Sequence, residues 1–149
     1  MLDIGQVDLA RLGEVLGQPE EAIGALDPAS GELRVGGDPA PEDWIAVGGE
    51  DVDGAYDDME VFAGEIGDPL LATRLTEALA AGPGAARAFR GILATAPGDL
   101  PRQWADYRRL RDEVRALRWL AGHGLLDVDE VERGVADRLR RADEVLASL

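Results

Sequence analysis

Residues 100–121 constrain the fold more than any other stretch. Trp104, Tyr107, Leu110, Val114, Leu117 and Leu120 recur at steps of 3, 3, 4, 3 and 3. That period is one face of an α-helix, and it predicts the longest helix of the chain. Asp99 can cap its start with Pro101 in the first turn, and Gly122-His123-Gly124 suits its end. A chain of 149 residues with one such helix must bring other elements to its apolar face. At that length roughly 68–70% of the unfolded surface can be buried, so no disulfide or metal staple is needed.

The flanking sequence supplies those elements. Val7, Leu9, Leu12, Val15 and Leu16 predict a helix over 7–17, capped by Asp8 and ended by Gly17 and Pro19. In AIGALDPASGELRV (22–35) two short apolar runs flank Asp27-Pro28-Ala29-Ser30-Gly31, which reads as a β-hairpin with a longer loop. GGDPAPED (36–43) is a connection, DWIAV (43–47) a third strand, and GGEDVDG (48–54) a loop. Tyr56, Met59, Phe62 and Ile66 then mark a helix face. Asp68-Pro69 opens the next helix, faced by Leu71, Leu75, Ala78 and Leu79. Residues 85–95 give a short helix with Phe89, Ile92 and Leu93 inward. Asp127-Val128-Asp129 opens a last amphipathic helix carrying Val131, Val135, Leu139 and Leu146. The expected fold class is α+β: a small N-terminal antiparallel sheet of about three strands with one helix, then a bundle of about five helices. One domain over 1–149 is expected, with an N-terminal α/β portion (1–53), a helical core (54–125) and a C-terminal helix (126–149).

Charge narrows the function classes. The net charge is −15, all fifteen basic residues are arginine, and there is no cysteine. The acids are concentrated in residues 1–70, net −16, against +1 for 71–149. Such a balance repels nucleic acid and anionic membranes at long range, so nucleic acid is an unlikely partner. Missing lysine excludes Schiff-base chemistry and a Walker motif; missing cysteine excludes thiolate metal sites and thiol nucleophiles. A single histidine, His123, and only two serines, Ser30 and Ser148, both in unpromising places, argue against a Ser-His-Asp triad. No cofactor and no metal are expected. MLDIGQVDL lacks a basic n-region and an apolar run, and no stretch reaches membrane-spanning length, so a cytoplasmic protein without membrane contact is expected.

Over roughly residues 4–125 the motifs resemble the uncharacterised bacterial family UPF0158. Tyr56, Met59 and Phe62 match its tyrosine–xx–methionine–xx–phenylalanine element. Gly82, Gly84, Ala85, Arg87, Phe89 and Arg90 fall on its central glycine- and arginine-containing block. Trp104 with Tyr107, then Trp119, Leu120 and Gly124, match its closing element. VDLARLGEVL and LDPASGELRV look like its opening helix and hairpin. Pro83, Ala86 and Ala88 stand where a lysine, a phenylalanine and an arginine are usual, so the basic and aromatic part of the block is thinned here. The resemblance implies a fold and brings no activity.

Three stretches are candidate sites. In AGPGAARAFRGIL (81–93), Gly82 and Gly84 allow close backbone approach. Arg87 and Arg90, three apart, can hold an anion at a helix start. The plainer reading is a helix connection, where glycine and proline are ordinary punctuation. Arg108, Arg111, Arg115 and Arg118, at steps of 3, 4 and 3, form a basic stripe that could be an interaction face. The plainer reading is that it faces the acidic first half, an acidic partner or water. Glu50, Asp51, Asp53, Asp57, Asp58 and Glu60 form an acidic run without the EF-hand spacing, which reads as a solvated face. The leading functional expectation is a non-enzymatic binding or regulatory module acting through protein–protein contacts or self-association of the C-terminal helix. The alternative is a phosphate- or nucleotide-binding protein, enzyme or not, using the Gly82–Arg90 block. A weaker alternative is an RNA-associated protein.

Overall fold

The computed structural model describes residues 1–19, 23–37 and 39–149. Ala22 and Asp38, which fall in the expected hairpin and connection, lie outside the described residues. A short 3-10 turn, Ile4–Gln6, leads into α1 (Leu9–Leu16). Strands β1 (Gly24–Leu26), β2 (Leu33–Val35) and β3 (Ile45–Val47) follow. Then come α2 (Val52–Glu65), α3 (Pro69–Ala80), α4 (Ala85–Ala94), α5 (Leu100–Gly122) and α6 (Val128–Ala147). The architecture is α+β, a small sheet with one helix followed by a five-helix bundle.

Local chemistry sets most boundaries. The Asp8 carboxylate accepts from Arg11 N, that of Asp68 from Leu70 and Leu71 N, and that of Asp127 from Asp129 and Glu130 N. Each satisfies amide groups a helix start leaves unpaired. Asp99 sits at the start of α5 without a side-chain cap, and Pro101 stands in the first turn. One expectation is corrected here. The 48–54 loop gives way to helix at Val52, because Asp51 at the N-cap position turns its carboxylate to Arg115 on α5 and anchors the first turn there.

The sheet is antiparallel in the order β2-β1-β3, with Leu26 opposite both Leu33 and Ile45. In the hairpin loop the Asp27 carboxylate accepts from Ala29 N at 2.9 Å and Ser30 Oγ at 2.8 Å. Gly31 has φ +80° and lies against the Gln6 carbonyl, so both its backbone hand and the space require glycine. Trp44 is half-buried beneath the Arg34 guanidinium, 4.5 Å from the ring centroid, a cation–π contact.

Two apolar cores form, and α5 runs through both. Leu12, Leu16, Leu26, Val47, Leu117 and Leu120 anchor the first, between α1, the sheet and the C-terminal half of α5. Phe62, Leu75, Phe89, Leu93, Trp104 and Tyr107 anchor the second, between α2, α3, α4 and the N-terminal half of α5. Phe62 stands 5.1 Å from Trp104 and Phe89 5.0 Å from it, both edge-on. The six residues of the α5 period are all buried. Helix α6 lies along α5 and contributes Val131 to the first core and Ala142 to the second, with Val135, Val145 and Leu146 packed beside them. Part of the apolar face of α6 is therefore used within the chain. No described helix is long and apolar enough to cross a membrane.

Candidate functional site

Between the two cores α5 carries charge inward. Asp112, Glu113 and Arg115 are buried there, and Asp58 is buried opposite them on α2. Arg115 Nη2 donates to Asp58 Oδ2 at 2.7 Å, Nη1 to Asp112 Oδ1 at 2.8 Å, and Nε to Asp51 Oδ2 at 2.8 Å. Arg111 Nε donates to the other Asp58 oxygen at 2.8 Å. Arg108 Nε lies 3.6 Å from Asp112 Oδ2. Three carboxylates and three guanidinium groups thus form one network. Burial needs such pairing, because an unpaired charge in the interior is strongly disfavoured.

Helix α1 closes over this network. A methyl group on Gly13 would fall on the Asp112 backbone carbonyl, so α1 and α5 meet backbone to backbone. Asp112 itself is buried. Burial pushes its carboxyl up to about 6, Arg108 and Arg115 oppose the rise, and Asp58 and Glu14 add to it. Burial alone would lower the Arg115 guanidinium; hydrogen bonds and charge from Asp58 and Asp51 outweigh it and hold the group above its usual value.

A cleft of about 680 Å³ opens beside the network, between the end of α1, α2, α4 and α5. Its wall is apolar: Tyr56 and Met59 from α2, Pro83 and Ala86 at the start of α4, and Trp104 from α5. Arg87 and Arg90 of α4 and Arg108 of α5 enter it, with Glu14, Asp58 and Asp112 on the acidic side. Asp58 and Asp112 are already held by arginines. Among the described residues no carboxylate lies within ion-pair distance of Arg87 or Arg90, and both are exposed. The cleft therefore has cationic groups in reserve within a strongly acidic protein.

Two sequence candidates converge here. Gly84, Arg87 and Arg90 line the cleft; Gly82 does not. Both glycines have φ +82° with open space where a Cβ would be. Their requirement is the backbone hand at the α3–α4 turn rather than close approach of a ligand. The four-arginine stripe does not form a single outward face. Arg118 is exposed, Arg108 and Arg111 are half-buried, and Arg115 has only 4% of its side chain exposed. Arg108 and Arg115 share Asp112, and Arg111 and Arg115 meet the acidic first half at Asp51 and Asp58. The acidic run is likewise split, with Asp58 buried and Asp51 bonded, while Asp53, Asp57 and Glu60 are exposed. Among the described residues no three His, Asp or Glu side chains cluster as metal ligands would.

Sequence reading missed Asp112 and the role of Asp58. The signal was there. Asp58 precedes Met59 and lies four residues before Phe62, on the inward edge of α2. Asp112 lies between Leu110 and Val114 on the inward edge of α5. Comparison with known proteins finds no matching family model, curated protein or solved structure. The UPF0158 resemblance therefore rests on the motifs alone.

Proposed function

We propose that this protein is a binding module that takes a small anionic ligand in the α2–α4–α5 cleft. The ligand class is a carboxylate, phosphate or sulfonate group on an apolar or aromatic body. The observation that carries this reading is the convergence of Arg87, Arg90 and Arg108 on an apolar wall, two of them without a carboxylate partner among the described residues. A cleft of about 680 Å³ is of the size that encloses a small molecule. Guanidinium groups are suited to bidentate anion recognition, and Tyr56, Met59 and Trp104 give the apolar part a surface to cover.

The reading as a module acting through protein–protein contacts drew on an outward arginine stripe and an uncovered C-terminal helix. With Arg115 buried and α6 packed on α5, the cleft has the stronger support. An RNA partner has the least, since the net charge of −15 opposes any polyanion.

Thermal-shift measurements at low salt, with anions bearing aromatic and aliphatic bodies, test the proposal. A ligand at 100 times its Kd adds about 2.7 kcal/mol to stability. Arg87→Ala/Arg90→Ala should remove that rise. Its own stability should stay within about 0.5 kcal/mol of the parent, because both side chains are exposed. A rise that persists in the double variant, or no rise with any anion, overturns the proposal.

A further inference from the structure

We infer that the cleft takes up its anion together with a proton, that Asp112 carries the proton, and that Arg108 links the two events. This rests on the anion-binding reading above and adds its regulation.

Arg108 belongs to both sites. It lines the cleft, and it is the looser of the two cations on Asp112, at 3.6 Å against 2.8 Å for Arg115. Its side chain is 37% exposed, so it can move to an arriving ligand, whereas Arg115 is fixed by Asp51 and Asp58 as well. An anion held by Arg87, Arg90 and Arg108 draws Arg108 away from Asp112. It also sets a new negative charge beside a buried carboxylate. The groups that face Asp112 are Glu14 from α1, Asp58 from α2, and Arg108 and Arg115 from its own helix, with Arg87 and Arg90 of α4 across the cleft. Two of these are acids that already oppose ionisation, and Arg115 already divides its charge among three carboxylates. The least costly response is protonation of Asp112, whose carboxyl burial has brought to about 6.

The sign follows by linkage. Bound anion raises the Asp112 pKa further, so affinity increases as pH falls through the bound value and levels off below the free value of about 6. Each unit of that rise appears as a tenfold gain in affinity.

The test uses naphthalene-1-sulfonate, whose charge is fixed across the range, in calorimetric titrations at pH 5.5 and 7.5. A further titration at pH 6.5 is run in two buffers of different ionisation enthalpy. The expected result is roughly three- to tenfold tighter binding at pH 5.5, with net proton uptake at pH 6.5. Asp112→Asn, which keeps an acceptor for Arg115, should bind at pH 7.5 as tightly as the parent does at pH 5.5 and show no pH dependence. His123→Gln, at the far end of α5, should keep the full dependence. Equal affinity at both pH values with no proton uptake overturns the coupling and leaves the cleft reading standing. The same holds if the dependence survives in Asp112→Asn. Absence of binding at either pH overturns both. If Asp112→Asn does not fold, the buffer-dependent heat of the parent protein decides alone.

Discussion

Replacing Arg115 with methionine should be the most damaging single change on the charged side of α5. The structure supplies the magnitude. Arg115 makes three charge-assisted hydrogen bonds of 2.7–2.8 Å. The one to Asp51 contributes little, because that carboxylate is 48% exposed and water replaces the partner. The other two hold Asp58 and Asp112, 7% and 10% exposed. Asp58 keeps Arg111 at 2.8 Å, but Asp112 keeps only Arg108 at 3.6 Å. Breaking a buried pair from one side costs about 3–5 kcal/mol. For a chain of this size that is a fall in Tm of about 10 °C. Urea unfolding at pH 7.5 and 5.0 measures it. The folded Asp112 carboxyl lies above its ordinary value of 3.8, at about 6. A group raised in this way gives its full stability below 3.8 and loses it as pH rises through 6. Removing Arg115 raises it further, so the penalty is larger at pH 7.5 than at pH 5.0, where Asp112 is already protonated. Arg115→Met combined with Asp58→Asn and Asp112→Asn strands no buried carboxylate; it leaves only the part-exposed Arg108 and Arg111 without theirs, and should recover part of the loss. A penalty below about 1 kcal/mol at pH 7.5, or one that grows on acidification, would refute the reasoning.

Gly13→Ala should destabilise by about 3 kcal/mol despite alanine's better helix propensity, because the methyl group meets the α5 backbone, which has no room to yield; chemical denaturation reads it. Gly84→Ala should cost about 1 kcal/mol through its positive φ alone and leave the cleft's anion affinity unchanged, as titration of the variant would show. Asp127→Ala removes the cap on α6 and should lower stability by about 1 kcal/mol, with amide exchange accelerated in the first turn of that helix. In Asp112→Asn the fall in stability between pH 5 and 7.5 that the parent owes to this carboxyl should vanish, which urea unfolding across that range checks.

The elements were legible in the sequence because each one's period and punctuation agreed. The steps from Trp104 to Leu120 marked α5, Asp68-Pro69 marked the start of α3, and Asp27 to Gly31 marked the hairpin turn. Each is a local signal, fixed by hydrogen bonds within a few residues. The site was legible only in pieces. Arg87 and Arg90 were visible as a pair, and Arg108 as part of a stripe, but nothing local says that α4 and α5 bring them to one cleft. Whether Arg115 faces outward or toward the acidic first half was open for the same reason. Its fate was decided by Asp51 and Asp58, 64 and 57 positions away. The helical stripe gave the spacing of the cations and left their partners open, and the acidic run on α2 was read as solvated when part of it was answering that stripe.

Helix α5 is the axle of this molecule, and its cargo is unequal at the two ends. At one end α1 is clamped to it through the Gly13 contact, and α6 runs along its length. At the other, α3 packs chiefly on α4 and α2, and α4 meets the axle with Phe89 edge-on to Trp104. The wall that bears Arg87 and Arg90 is therefore the more weakly anchored part. Amide exchange should find α3 and α4 opening as a unit while α1 and the second half of α5 stay closed. Arg87 and Arg90 would then move with that unit, while the backbone of Arg108 stays with the frame.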